Sequence, residues 1–526
     1  MNFKRVGLMI DCSRNAVRTV STVKKLVDIM SVMGYNTLML YTEDTYEIKE
    51  RPYFGYLRGR YSNEEIKDID KYCRERNIEL IPCIQTLAHL NGMIRWKEFE
   101  DIVDCNDILL AGEEKTYELI DDMLRTVSET FTTKNIHIGM DEAWMLGMGN
   151  YIRKNGYTDP KNIMTEHMKR VSDIAGKYGL KPLIWSDMLF YMNENAANTV
   201  IPENITPVYW DYYSIDKSHY DARIKEHKKF GRPFWYAGGL WTWTGFTPHN
   251  MYSIRECKAA VSSCGENGVE NIFFTMWGDN GAETSLFSVL PSMYSAVCFT
   301  KGITDKKQIK QGFKELTGIE FDDFCLLDIP DITNNPDNYD KIVSPDKYML
   351  YNDYFLGIYD SITDGSKNKI YRNTAKSLEK LTRNSEYGYL FKTVQSLCNV
   401  LSVKNDLGIR TRQAYKKGDR EALRILVDEY IKTEKSIIKF YEDFKTQWHK
   451  ENKPFGFEVQ DMRIGGLIQR TKACIERLNS YIIGDIDCIE ELEEKILDPE
   501  CKKTSVKREI SEDSFRVWSK SFAAIV

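Results

Sequence analysis

The stretch Ile136-His137-Ile138-Gly139-Met140-Asp141-Glu142-Ala143-Trp144 decides how this chain is read. A short, mostly apolar run leads straight into two adjacent acids and then an indole. Such a run reads as a buried strand that ends at a cleft, because an unpaired buried carboxylate is costly. The competing reading is a helix N-terminus, where Asp and Glu are common.

The same texture recurs on both sides of this stretch. Short apolar runs lie at 6–10, 37–41, 79–84, 135–140, 182–185, 207–210, 233–236 and 271–276. Helical spacing of apolar residues fills 17–33, 64–76, 117–131 and 165–178, and Gly34 and Gly179 stand where two of these helices should stop. Strands alternating with helices imply parallel βαβ units. Eight strands are the number that closes a (β/α)8 TIM barrel. An open doubly wound sheet is the alternative, but it usually carries a Gly-rich turn after its first strand, and here that place holds Asp11-Cys12-Ser13-Arg14.

Past about residue 300 glycine becomes sparse, and charged helical patterns run over 373–401, 421–445 and 463–483. We therefore expect a catalytic α/β barrel over 1–303 and an α-helical C-terminal domain over 304–526. The helical domain offers either a homodimer surface or a lid. The Asn-, Asp- and Pro-rich segment 334–340 reads as a loop. Lys453-Pro454-Phe455-Gly456-Phe457 breaks the helices with an aromatic loop, read as a packing loop or one that reaches the barrel mouth.

Composition excludes several classes. A chain of 526 residues with 42% hydrophobic residues can bury sizeable cores, and its net charge of -6 comes from interspersed charges of both signs. No long basic block favours nucleic acid, and no run approaches the ~18 apolar residues of a membrane helix. The apolar run after the N-terminus breaks at Asp11, too soon for a signal peptide. The twelve cysteines are scattered, and Cys12, Cys83 and Cys298 sit in apolar stretches, as in a reduced cytoplasmic protein. The seven histidines form no HExxH motif, so neither a metal nor another cofactor is expected.

In a barrel, the C-terminal strand ends build the active site. Those positions hold Asp11 and Arg14, Glu43 and Asp44, His89, Asp141 and Glu142, Trp185 and Asp187, Trp210 with Tyr212, Trp235 with Tyr236, and Trp277 with Asp279. A single Trp is more often core than ligand platform, but eight of the ten precede residue 300. Aromatic walls with carboxylates at the rim suit carbohydrate, since sugar C–H faces stack on indole and hydroxyls bond to acids. Two protein carboxylates flanking a glycosidic bond stand ~5 Å apart or more. Chain neighbours such as Asp141 and Glu142 do not easily flank a bond. Either another carboxylate is the nucleophile, or the substrate supplies its own, as a 2-acetamido sugar does through its carbonyl oxygen.

These residues resemble a known family. His137-Ile138-Gly139-Met140-Asp141-Glu142 is similar to the His-x-Gly-Gly-Asp-Glu motif of glycoside hydrolase family 20, the β-N-acetylhexosaminidases, with Met140 in place of the second Gly. In the same order, Asp11-Cys12-Ser13-Arg14 resembles the family's first-strand Asp-x-x-Arg, and Thr42-Glu43-Asp44 its second-strand acidic turn. Pro82 through His89 resembles the third-strand Pro–His segment. Trp185-Ser186-Asp187 and Trp277-Gly278-Asp279 resemble the fifth- and eighth-strand motifs, with Asp279 where the family has Glu. The likeness covers about residues 1–300 and is to the shorter bacterial branch, without the family's preceding α/β domain.

The resemblance implies removal of terminal β-linked GlcNAc or GalNAc from oligosaccharides or glycoconjugates, with retention, through an oxazolinium intermediate and without a cofactor. It implies Glu142 as general acid and then base, with its pKa raised by burial and by Asp141. It implies an ionised Asp141 that holds the acetamido N–H. Trp185, Trp210 and Trp277 would wall the N-acetyl pocket, although barrel packing also explains them. Asp279 would accept from O4 or O6, and Arg5 would be the sugar-binding arginine. Tyr236, Tyr212 or Tyr213 would face the acetamido group. His89 would pair with Glu43 or Asp44, Arg14 would be a structural partner for a strand-end acid, and Asp11 and His137 would support the site. The alternatives are a related O-GlcNAc-trimming hydrolase, which typically presents paired Asp, and a non-catalytic amino-sugar-binding barrel.

Overall fold

The computed structural model describes residues 2–191, 199–331 and 342–497, with the backbone of 502–503 and 508–509. The expected loop at 334–340 lies outside the described residues. Eight parallel strands form a closed barrel: β1 Arg5–Asp11, β2 Thr37–Glu43, β3 Glu79–Ile84, β4 Asn135–His137, β5 Lys181–Trp185, β6 Thr206–Trp210, β7 Trp235–Gly239 and β8 Asn271–Met276. Closure comes from β1 pairing β8, with Arg5 opposite Asn271 and Ile10 opposite Met276. Each strand is buried on both faces, which is why it reads as a continuous apolar run. Met9, Met39, Ile81, Leu183, Val208 and Phe273 fill the barrel. Their neighbours Leu8, Leu38, Leu80, Ile184, Tyr209 and Ile272 face the surrounding helices.

Local chemistry fixes the helix ends. Thr19 accepts from the Thr22 N–H to start α1 (Val20–Met33), which stops at Gly34 with φ 98°. Ser62 and Glu65 form a capping box on α2 (Asn63–Arg74).

Two strand ends differ by three residues from the sequence reading, and both differences shape the site. β4 ends at His137 rather than 140, because Gly139 and Met140 are left-handed, with φ 72° and 69°. A side chain at position 139 would run into the Gln85 carboxamide, so only glycine fits there. β7 ends at Gly239 rather than 236, which moves Tyr236 off the barrel mouth and into its wall.

Beyond the barrel the chain is helical, through α3 (Ser366–Leu378), α4 (Gly388–Lys416), α5 (Arg420–Glu451) and α6 (Glu458–Ile483). The expected single helix over 373–401 is split. Asn384 Oδ1 accepts the N–H groups of Glu386 and Tyr387, closing a turn before α4 begins. These helices share the barrel's core: Phe246 lies 5.2 Å from Phe440 and 5.3 Å from Phe444. Buried Glu451, at the end of α5, accepts the Leu286 N–H at 3.0 Å and the Tyr389 hydroxyl at 2.8 Å. The 453–457 loop packs on the segment after β1, where Gly456 O accepts from Asn15 Nδ2 at 3.2 Å.

Candidate active site

One pocket at the barrel mouth is lined by Arg14, His89, Asp141, Glu142, Trp185, Trp210, Tyr212, Tyr213, Trp277 and Asp279. The acid pair enters it from the irregular backbone after β4, not from a helix N-terminus. Left-handed Met140 and Glu142, with φ 69° and 50°, flank Asp141 and turn the two carboxylates toward the pocket. Such backbone in non-glycine residues persists only where the surroundings fix it. Gln85, directly after β3, does part of that fixing. Its Oε1 accepts the Met140 N–H at 3.2 Å, and its Nε2 donates to Asp141 Oδ1 at 2.8 Å and to the Tyr41 hydroxyl at 2.9 Å. Asp187 does the rest, with Oδ2 accepting the Glu142 N–H at 2.9 Å.

The environments of the two acids push their proton affinities apart. Burial raises Asp141, but the His89 cation and the Gln85 amide outweigh it and hold the carboxyl below its usual range. Burial, and then the Asp141 charge, raise Glu142. His89 lies 3.3 Å from Asp141 and 3.6 Å from Glu142. Burial opposes its charge, yet the Asp141 carboxylate carries its pKa up to about 9. Asp187, also buried and near Asp141, is raised. One carboxyl held low beside another pushed up is the arrangement that separates a charge stabiliser from a general acid.

The walls are aromatic. Trp185 sits 6.1 Å from Trp277, and Trp277 meets Tyr41 edge-on at 4.8 Å. Trp277 Nε1 donates to the Tyr212 hydroxyl at 3.1 Å, and Trp210 stacks on Tyr212 at 5.7 Å. Trp241 and Trp243, stacked at 4.1 Å, back Tyr212 from behind. His137 packs under Trp185 at 4.2 Å, and burial drops its pKa to about 3, so it is a neutral support. Trp144 is exposed beside Glu142 and meets Tyr191 edge-on at 4.9 Å.

At the opposite rim Arg14 gathers three acids. Its Nε lies 3.0 Å from Asp279 and 3.8 Å from Asp11, and its Nη1 lies 3.5 Å from Glu43. Asp11 also accepts the Gly278 N–H at 2.9 Å, which ties β1 to β8. Burial carries Glu43 up to about 7 despite Arg14.

Three expectations are corrected. Arg5 opens β1 at the far end of the barrel, where it pairs with Glu79 at 2.9 Å and lies over the Trp235 ring. It does not line the pocket, and Arg14 is the guanidinium that does. Tyr236 faces outward, its hydroxyl donating to Asp211 O at 2.7 Å and Glu256 at 3.0 Å, because β7 runs three residues further than its apolar run suggested. His89 contacts Asp141, Glu142 and Asp107 rather than Glu43 or Asp44. Asp44 is buried and paired with Arg58 at 3.3 Å. Gln85 escaped the sequence reading, although its place just past β3 put it at the mouth.

No group of three or more His, Cys, Asp or Glu could hold a metal ion among the described residues. Every described cysteine is a free thiol. No helix among the described residues is long and apolar enough to cross a membrane.

Hexosaminidase D of Homo sapiens is 24% identical over 302 residues, covering 53% of this chain and 61% of the relative. Hexosaminidase D of Bos taurus is 25% identical over 301 residues, covering 53% of this chain and 86% of the relative. The chain thus spans about three-fifths of the human relative's length. Among known structures, the Bacteroides fragilis β-N-acetylhexosaminidase superposes with a TM-score of 0.46 at 22% identity, covering 56% of this chain and 65% of that one. Sequence models of a single family match both parts of the molecule: "Glycosyl hydrolase family 20, catalytic domain" over residues 3–229 and "Glycoside Hydrolase 20C C-terminal domain" over residues 322–511. With the acid pair at the barrel mouth and both domain types in order, the chain belongs to glycoside hydrolase family 20.

Proposed function

We propose that this protein is an exo-β-N-acetylhexosaminidase that releases terminal β-linked GlcNAc or GalNAc with retention, the substrate's acetamido group serving as nucleophile. The observation that carries this reading is the split acid pair: Asp141 held ionised by His89 and Gln85, next to Glu142 with its proton affinity raised. Asp279, the lining carboxylate at the opposite rim, is engaged by Arg14 at 3.0 Å and in this reading accepts a sugar hydroxyl.

In the first step Glu142 gives its proton to the glycosidic oxygen as the C1–O bond breaks. The acetamido carbonyl oxygen bonds to C1 from the opposite face, and positive charge develops on the acetamido nitrogen. Asp141 accepts the N–H there and stabilises that charge in a site shielded by Trp185 and Trp277. In the second step the Glu142 carboxylate removes a proton from water, which attacks C1 and breaks the bond to the acetamido oxygen. Two inversions give retention. The free cysteines fit a reducing, cytoplasmic compartment.

The test is twofold. A thiazoline mimic of the cyclised sugar should inhibit far more tightly than GlcNAc. β-Glucosides lacking the acetamido group should turn over at least ~10³-fold more slowly, the worth of a well-placed intramolecular nucleophile. A covalent adduct on Asp279 or any other carboxylate, trapped with a 5-fluoro glycosyl donor and seen by mass spectrometry, would overturn the mechanism. No turnover of any aryl β-N-acetylhexosaminide would overturn the activity.

A further inference from the structure

The turn that carries Asp279 is held from outside the barrel. After Asp279 the backbone passes through three left-handed residues in a row, Asn280 with φ 61°, Gly281 with φ 135° and Ala282 with φ 51°. Asn tolerates this backbone, but Ala282 brings no such freedom, so neighbours must hold the turn's shape. The neighbours are four donors on two consecutive carbonyls. Asn280 O accepts from Lys347 Nζ at 2.8 Å and from Arg463 Nη1 at 2.6 Å. Gly281 O accepts from Asn15 Nδ2 and from Gln460 Nε2, each at 2.9 Å. Lys347, Gln460 and Arg463 all lie in the helical region, and Asn15 directly follows Arg14.

Glu283 locks the clamp. Its carboxylate lies 2.9 Å from Lys347 and 3.1 Å from Arg463, and all three are largely or fully buried. A side chain at position 281 would lie 2.3 Å from Glu283 Oε1 and 2.7 Å from Arg463 Nη1, so glycine leaves room for this ion pair. The same α6 helix supplies Val459 and Arg463 to the cleft that shares Arg14 and His89 with the catalytic pocket.

We propose that the helical domain completes the active site through this clamp, with Lys347, Gln460 and Arg463 as positioning residues that hold Asp279 against Arg14. Resting on the function proposed above, this makes the domain a determinant of which sugar is accepted: one whose 4- or 6-hydroxyl meets Asp279. The barrel supplies the chemistry, and the helices fix the rim that reads the sugar. A merely structural clamp would stabilise the fold without favouring any one hydroxyl.

The experiment compares wild type, Arg463→Met, Arg463→Lys and Asp279→Asn on an aryl β-GlcNAc and on its 4-deoxy and 6-deoxy analogues. Arg463→Met should lower kcat/KM for the parent about tenfold, as small displacements of a positioning group do. For the analogue that lacks the hydroxyl met by Asp279, the loss should be about twofold or less, because that contact is already gone. Arg463→Lys should recover part of the loss, since an ammonium can still donate to Asn280 O. If Arg463→Met fails to fold, Gln460→Met removes one of the two donors to Gly281 O and a contact with Glu283 without deleting a charge, and gives the same comparison. Equal losses on all three substrates, or none, would reduce the clamp to a structural contact and overturn the inference. So would an Asp279→Asn enzyme that treats the parent and both analogues as wild type does. Wild-type inactivity on all three would overturn the proposed function itself, an outcome visible before any variant is made.

Discussion

His89 Nε2 lies 3.3 Å from Asp141 Oδ2, and each group sets the charge of the other. The carboxylate keeps the buried imidazole cationic, and the imidazolium keeps the buried carboxyl ionised. Glu142, 3.6 Å from the same nitrogen, feels both charges, with the Asp141 anion raising its proton affinity and the His89 cation lowering it. A single histidine thus adjusts both acids of the pair.

Replacing it should therefore move both limbs of the pH–rate profile. In His89→Gln the Asp141 carboxyl loses its main stabiliser, and Glu142 loses a charge that lowered it. The acidic and the alkaline limbs of kcat/KM should both shift to higher pH, with a lower maximum. The same pair predicts a stability change in the wild type. The folded pKa of His89, about 9, lies above the unfolded value of ~6.5. Its contribution is complete below ~6.5 and is lost as pH climbs through about 9. Urea midpoints of wild type and His89→Gln across that window should converge at the alkaline end.

Glu142→Gln should keep the fold and lose the acid. Glycosides with poor leaving groups should lose ~10²–10⁴-fold in rate, while a good aryl leaving group, which needs little protonation, should lose less at the glycosylation step. Equal large losses with an unchanged circular dichroism spectrum would remove Glu142 from the acid role.

Arg5 and Arg14 should separate cleanly. Arg5→Ala removes a partly exposed pair with Glu79 and the contact with Trp235, at the barrel's far end. It should cost about 1 kcal/mol or less in unfolding measurements and leave KM unchanged. Arg14→Met leaves Asp11, Glu43 and Asp279 facing one another without their shared cation. Its kcat/KM should fall about 10²-fold, the usual cost of one preorganised polar contact at a reacting site.

Met140 holds a left-handed backbone where the family motif has glycine, yet its side chain is fully buried in the core. Met140→Gly would relieve ~1–2 kcal/mol of backbone strain but forfeit a buried side chain worth ~2–5 kcal/mol. The net should be a lower Tm. An unchanged or raised Tm would mean that strain outweighs packing at this turn.

Arg463 and Glu142 mark the two ends of what one-dimensional reading could reach. Asp141, Glu142, Trp185, Trp210 and Trp277 were legible because side-chain period and strand count are local properties, whereas Trp235 opens β7 at the barrel's far end. A doubly buried parallel strand must be a short apolar run, and the residues directly after it must sit at the mouth. Tyr236 was misplaced because Ala237, Gly238 and Gly239, small residues that a hydrophobic pattern passes over, continue β7. Gln85 was missed because, although its position after β3 puts it at the mouth, a neutral amide carries no chemical signal until it is seen bridging Met140 and Asp141.

Apolar periodicity and residue chemistry, both expressed within a few dozen positions, were enough to specify the (β/α)8 barrel, the helical region after it and the acid pair at the mouth. Three-dimensional packing was needed to place Arg14 rather than Arg5 in the pocket and to give His89 to Asp141. It was needed again to bring Lys347 and Arg463 onto the turn beside Asp279. Those pairings join residues dozens to hundreds of positions apart, and charge and hydrogen bonding act on distance in space, which barrel closure and helix docking set.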